Sequence, residues 1–138
     1  MVKLNGSMAQ QIAEAASDSQ RQRTGNTPNS VIAALSENTL VITLRGALSP
    51  AEKAMAQNPA GAAQVQEFHR QLFASDSASL REQIKRITGV HVRGATADVE
   101  ATIGTVVPAF TTGTMVQVFL LDGAVPAETF SGNGQAHQ

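Results

Sequence analysis

The residues that could do chemistry in this sequence are three histidines and a few charged side chains that fall inside predicted strands. His69 lies in a predicted helix, His91 in a predicted strand and His137 near the carboxyl terminus. Metal sites draw their ligands from short, fixed spacings, and the sequence has neither a His-x-x-x-His pair nor a matching carboxylate and histidine spacing. We therefore predict no metal site, no cofactor and no catalytic residue.

Nucleophilic catalysis is disfavoured on similar grounds. The chain has no cysteine, which excludes thiol catalysis, thiolate metal sites and disulfides. Its hydroxyl side chains lack the Gly-x-Ser-x-Gly elbow of the serine hydrolases. Gly104 and Gly113 are too far apart for a phosphate-binding P-loop, which also requires a lysine. The sequence thus favours a protein that is not an enzyme, although an enzyme of unknown reaction stays an alternative.

Two charged residues interrupt predicted strands where a neutral residue would suffice. Arg45 and Asp98 could form a salt bridge across a sheet or simply be exposed, which is the plainer interpretation. Alternatively, Arg45, His91 and Asp98 could line a pocket for a small anion such as bicarbonate, because a guanidinium pairs well with a planar oxyanion. We keep these three residues as a candidate ligand-binding site.

Four further residues have a structural explanation. Ser49 is a predicted N-cap, Pro50 suits the first helical position and Glu52 can close a capping box. Gly89 stands where a helix requires a left-handed cap. We therefore assign no functional role to the Glu52 carboxylate.

The elements that must position these residues alternate between helices and strands. Residues 8–23 form a predicted helix, and the strand patterns cover residues 31–35, 39–45, 90–103 and 115–121. Between the strand pairs, a short helix begins after Ser49, and a longer one runs to about residue 87. The predicted fold is α+β, with two layers and a four-stranded, mainly antiparallel sheet packed against the long helix.

Hydrophobic spacing predicts how the helices pack. The long helix carries one apolar stripe that Asp76 interrupts, formed by Val65, Phe68, Leu72, Leu80, Ile84 and Ile87. In the first helix only Met8 and Ile12 are large and apolar, so we expect this helix to lie on a partner chain or to fray. Because the predicted strands are apolar on both faces, with Val41 opposite Leu40 and Ile42, we predict a homodimer.

Composition limits the partners and the location. The 138 residues suit one domain, divided into an amino-terminal helix and linker (1–29), an α+β core (30–123) and a disordered tail (124–138). Part of residues 1–7 could be a cloning remnant. Ten basic and eleven acidic residues give a net charge of −1, which disfavours nucleic acid. No apolar run is long enough for membrane insertion, and the absence of a signal peptide favours the cytoplasm.

Two blocks of the sequence resemble a known family. Residues 40–53, which read LVITLRGALSPAEK, resemble the hallmark of the MpsC family, and residues 87–92, Asp98 and residues 116–122 fall where that family has its second block. The resemblance covers roughly residues 30–122. It implies an association with a membrane system that generates membrane potential and whose other components look like an ion-translocating bicarbonate transporter.

The resemblance favours one of two functions. The first is an accessory or regulatory protein of a membrane ion or bicarbonate transport system, peripheral to the membrane through a partner. The second is a domain that binds a small anion or metabolite. The resemblance carries no established chemistry for the small protein itself.

Overall fold

A four-stranded antiparallel sheet and two helices that cover one of its faces make up the fold. The computed structural model describes residues 7–96, 113–126 and 129–130. The elements are α1 (Met8–Thr24), β1 (Ser30–Ser36), β2 (Thr39–Arg45), α2 (Pro50–Met55), α3 (Pro59–Thr88), β3 (Val92–Thr96) and β4 (Met115–Leu121). The strand order is β1-β2-β4-β3, and every neighbouring pair is antiparallel. The predicted α+β class is confirmed.

Some of the predicted features lie outside the described residues. They are the extension of β3 beyond residue 96, the glycine-containing link over residues 104–112, most of the tail and residues 1–6. Asp98 and His137 also lie there.

The two faces of the sheet differ because successive side chains of a strand point to opposite faces. Leu40, Ile42 and Leu44 of β2 are fully buried, as are Phe119 and Leu121 of β4. These side chains belong to one core cluster, and the residues between them are more exposed. One face therefore carries the core, as the alternation in β2 predicts.

Helix α1 packs on its own chain, which corrects the expectation that it lies on a partner chain or frays. Ile12, Ala15, Ala16 and Gln20 are buried, and α1 contacts both β1 and α3. Two alanines in succession let the helix approach the sheet closely, so it needs few large apolar side chains. A capping box of Ser7 with Gln10 and a left-handed Gly25 define its ends.

The buried stripe of α3 differs from the predicted stripe in its middle. Val65, Leu80 and Ile84 are buried as predicted, but between them the stripe runs through His69, Phe73 and Ser77. Phe68 is 51% exposed. The steps of four residues from Val65 to Ser77 keep these positions on one helix face. Consequently a histidine and a serine occupy core positions while a phenylalanine faces outward.

Candidate functional site

The structure does not bring Arg45 and His91 together. Arg45 is exposed at the end of β2, where its backbone pairs with Ser30. His91 precedes β3, and its carbonyl accepts the Asp122 amide at the end of β4. Arg45 lies beside the start of β4 and His91 beside its end, so these two positions lie about 26 Å apart along the strands. Asp98 lies outside the described residues, so its relation to either residue is not described.

Glu52 joins α2 to α3 in addition to capping α2. Its Oε1 accepts the Ser49 amide at 2.9 Å, and its amide donates to Ser49 Oγ at 3.2 Å. The other carboxylate oxygen, Oε2, lies 2.8 Å from Nε2 of His69. His69 is only 2% exposed. The Glu52 carboxylate thus fixes both the start of α2 and its contact with α3.

Sequence reasoning missed the pairing of Glu52 with His69. The two residues are 17 positions apart and belong to different helices, so no local spacing connects them. The available signal was the position of His69, four residues after Val65 and four before Phe73 on the buried stripe. A buried histidine at such a position needs a polar partner.

This arrangement does not make a hydrolytic centre. Ser49 Oγ accepts the Glu52 amide instead of facing the imidazole, and His69 is closed from solvent. Catalysis by general acid and base requires a side chain that the substrate can reach. Within the described parts of the chain, no group of three or more histidine, aspartate and glutamate residues could hold a metal ion. The pair holds the helices together.

Replacing Ser49 with alanine tests this structural role. We expect the free energy of unfolding to fall by about 1 kcal/mol, because the Glu52 amide loses its capping acceptor. Denaturant titration measures the change, and Ser75→Ala at an exposed position in α3 is the control. Loss of partner binding without loss of stability would instead give Ser49 a functional role.

Arg23 borders a polar cleft between α1 and α3. The cleft has a volume of about 470 Å³ and is lined by Asp18, Ser19, Gln22, Arg23, Asp76, Ser79 and Gln83. The guanidinium carbon of Arg23 lies 5.7 Å from the ring centre of Phe73. Burial lowers the pKa of Arg23, and the nearby Asp76 carboxylate partly opposes this shift.

Two guanidinium nitrogens of Arg23, Nε and Nη2, are buried and have no hydrogen-bond partner among the described residues. They form the side-on edge that pairs with a carboxylate in bidentate ion pairs. Asp18 is paired with Arg21 at 3.2 Å, whereas Asp76 forms no ion pair with a described residue. The cleft therefore contains a cation and an anion that interact through space but form no ion pair with a described residue.

Gln117 is a second buried polar group without a partner among the described residues. It points into the core from the middle of β4, is 0% exposed, and both its amide oxygen and its amide nitrogen lack hydrogen bonds there. Leaving such a group unsatisfied costs about 1 to 3 kcal/mol. Gln117 thus reduces stability at the centre of the sheet.

Replacing Gln117 with methionine, which has a similar shape, should increase the free energy of unfolding by about 1 kcal/mol, because no polar group is then left unsatisfied. Denaturant titration checks this result. Gln20→Met is the matched control. The Gln20 amide already donates to Met115 Sδ at 3.6 Å, so this replacement should raise the free energy of unfolding less. A loss of stability in the Gln117 variant would mean that its amide makes a favourable contact.

The face of the sheet opposite the core is apolar and carries no described helix. We call the central part of this face the open face, and its residues are Ile32, Ala34, Val41, Thr43, Val116, Val118 and Leu120. Polar residues lie at its edge, where Ser30 pairs with Arg45 and Ser36 pairs with Thr39. Ile32 is 55% exposed and Leu120 is 40% exposed. Contiguous apolar surface of this kind is typical of an interface with another protein.

Comparisons with known proteins agree with the resemblance seen in the sequence. The family model described as "Na+-translocating membrane potential-generating system (MpsC)" matches residues 4–122, which is most of the chain. Neither the curated proteins nor the solved structures gave a match. No helix in the described part of the chain is long and apolar enough to cross a membrane.

Proposed function

The chain belongs to the MpsC family of Na+-translocating membrane potential-generating systems, and from this membership we propose that it is a non-enzymatic accessory or regulatory protein of a membrane ion or bicarbonate transport system. In this proposal the chain is cytoplasmic and is held at the membrane by a partner. The family description supports the link to the membrane system.

The family match carries the link to the membrane system, and the open face supports a binding role over a catalytic one. Ile32 and Leu120 remain exposed on it, and Val41, Val116 and Val118 are half-buried. A sheet whose two faces are both apolar gains free energy when a second protein layer covers the uncovered face. A binding protein fits this surface better than an enzyme does, because the open face is not built around convergent polar groups.

We propose that a second copy of the chain covers the open face and forms a homodimer. The residues of the open face are hydrophobic or small, and the charged Arg45 lies only at the edge of the same face, so two copies can meet over its centre without burying an unpaired charge. Twofold symmetry then buries the same patch on both chains. The dimer leaves the other side of each chain, which is formed by α1, α2 and α3 and is called the helical side, available for the membrane partner.

Purification of the tagged chain from its native cell, in a mild detergent, tests the accessory role. We expect membrane components of an ion transport system to copurify in a fixed ratio to the chain. An untagged strain controls for nonspecific recovery. Reproducible recovery of only soluble metabolic enzymes would contradict the proposal.

The cleft at Arg23 favours a second candidate function, the binding of a small metabolite. Arg23 and Asp76 present opposite charges to one polar cleft, and neither has an ion-pair partner among the described residues. A thermal-shift screen with bicarbonate, nucleotides and metal ions examines this alternative, because a ligand that binds the folded chain raises Tm. A shift that disappears in Arg23→Met would favour this function.

A further inference from the structure

A shallow groove between the end of α3 and the start of β3 collects three nitrogen-bearing side chains. The groove has a volume of about 250 Å³ and is lined by Ala78, Arg81, Glu82, Lys85, His91 and Val92. Arg81 and Lys85 are four residues apart and therefore lie on the same face of α3. His91 lies on the opposite wall of the groove, just before β3 begins.

Local packing holds two of these residues in place. Nη2 of Arg81 donates to the carbonyl of Val92 at 3.4 Å, so its guanidinium is held against β3. The backbone at His91 is fixed by the Asp122 amide, which donates to the His91 carbonyl at 2.9 Å. Lys85 is exposed, and its long side chain can adjust to a ligand. The groove thus combines one held guanidinium, a histidine on a fixed backbone and one flexible cation.

The charge of this region differs from that of the whole chain. Residues 81–93 contain four of the ten basic residues, Arg81, Lys85, Arg86 and Arg93, and one acidic residue, Glu82. Four positive charges and one negative charge give a net charge of +3, whereas the whole chain carries −1. Among the described residues, none of these four cations forms an ion pair.

Stabilisation of the helix end explains only part of this cluster. Lys85 and Arg86 lie in the last turn of α3, where a cation interacts favourably with the helix dipole. Arg81 precedes that turn, and the dipole effect is confined to the last turn. Arg81 and Lys85 also repel each other at a spacing of four residues. A bound anion would relieve that repulsion.

We propose that this groove binds a phosphate group. Arg81 offers N–H donors for phosphate oxygens, Lys85 supplies a mobile ammonium group, and a neutral imidazole at His91 can donate one N–H. The two positive charges of Arg81 and Lys85 exceed the single negative charge of Glu82. The phosphate can belong to a free ion or to a phospholipid headgroup, and the inference does not depend on the accessory role proposed above.

Two binding measurements on the full-length chain distinguish the sources of the phosphate. Calorimetry with inorganic phosphate tests the free ion, and cosedimentation with phosphatidylglycerol vesicles tests the headgroup, with phosphatidylcholine vesicles as the uncharged reference. We expect binding in at least one measurement, and we expect it to weaken as salt is added. Phosphate binding alone identifies a soluble ligand, and vesicle binding alone identifies a lipid headgroup.

Substitutions locate the site. Lys85→Gln, alone and together with Arg81→Gln, should weaken binding. The dissociation constant of the double variant should rise at least about tenfold. Lys85 is exposed, so its replacement should lower Tm only slightly, through the lost interaction with the helix dipole. Arg86→Gln is the matched control, because it removes the same charge from the adjacent position outside the groove.

Three results would overturn the inference. The first is no binding in either measurement. The second is an equal loss in Arg86→Gln and Lys85→Gln, which would indicate a diffuse charge effect. The third is equally tight binding of polyglutamate, which would show that the groove does not distinguish phosphate from carboxylate.

Discussion

Replacing Ile32 and Leu120 together with glutamate should convert the proposed homodimer into a monomer. The wild-type chain should show about twice its 14.4 kDa mass by light scattering after size exclusion. The double variant should show the single mass, because closing the dimer would bury four carboxylates without partners. Both side chains are already substantially exposed in one chain, so the change should have little effect on folding.

The other two large hydrophobic residues that are exposed in the described part of the chain provide the control. Met55 is 45% exposed and Phe68 is 51% exposed, and both belong to the helical side. Met55→Glu with Phe68→Glu makes the same chemical change away from the open face and should leave the dimer intact. A wild-type monomer that persists at high micromolar concentration would refute the homodimer. Dissociation by the helical-side variant alone would place the interface there.

The largest loss of stability is expected from Gly61→Ala. Gly61 is in the first turn of α3, where its amide donates to Asn58 Oδ1 at 2.8 Å. A β-carbon at this position would overlap the carbonyl oxygen of Met55 and lie 2.8 Å from its carbonyl carbon. Both atoms belong to the backbone, so the end of α2 must move. We expect a loss of about 3 kcal/mol, or roughly 10 °C in Tm.

Gly94→Ala is the control for this second prediction. A β-carbon at Gly94 would have no atom of another residue within 4 Å, apart from its chain neighbours. The substitution should therefore leave Tm unchanged or slightly higher, because alanine loses less conformational entropy on folding than glycine. Scanning calorimetry measures both variants. An unchanged Tm in Gly61→Ala would show that α2 and α3 do not meet as closely as described.

The order and the type of the elements could be predicted from the sequence because each depends on local patterns. The alternation of Leu40, Ile42 and Leu44 predicts a strand with one buried face, and capping residues mark where the helices begin and end. The packing of α1 could not be predicted in this way. Ala15 and Ala16 are only weakly hydrophobic, but their small side chains let α1 lie close to the core. How much this contact stabilises the fold depends on the surface that faces the helix.

Contacts between elements account for most of what the sequence did not predict. The stripe on α3 passes through His69 because Glu52 from α2 satisfies its ring, and that pairing depends on how two helices cross. Similarly, His91 could be identified as a candidate residue, but its neighbours Arg81 and Lys85 belong to another element. Sequence spacing can predict which side chains lie together within one helix or strand. A site between elements depends on how those elements pack, which the spacing does not show.

If the chain assists a membrane system that generates an ion-dependent potential, as we propose, that potential should depend on the presence of the chain. Inverted membrane vesicles from cells that lack the chain provide the most direct measurement, with a potential-sensitive dye and either Na+ or K+ in the medium. We expect these vesicles to have a much smaller Na+-dependent potential and to regain it when the purified chain is added. An undiminished Na+-dependent potential in vesicles without the chain would contradict the claim.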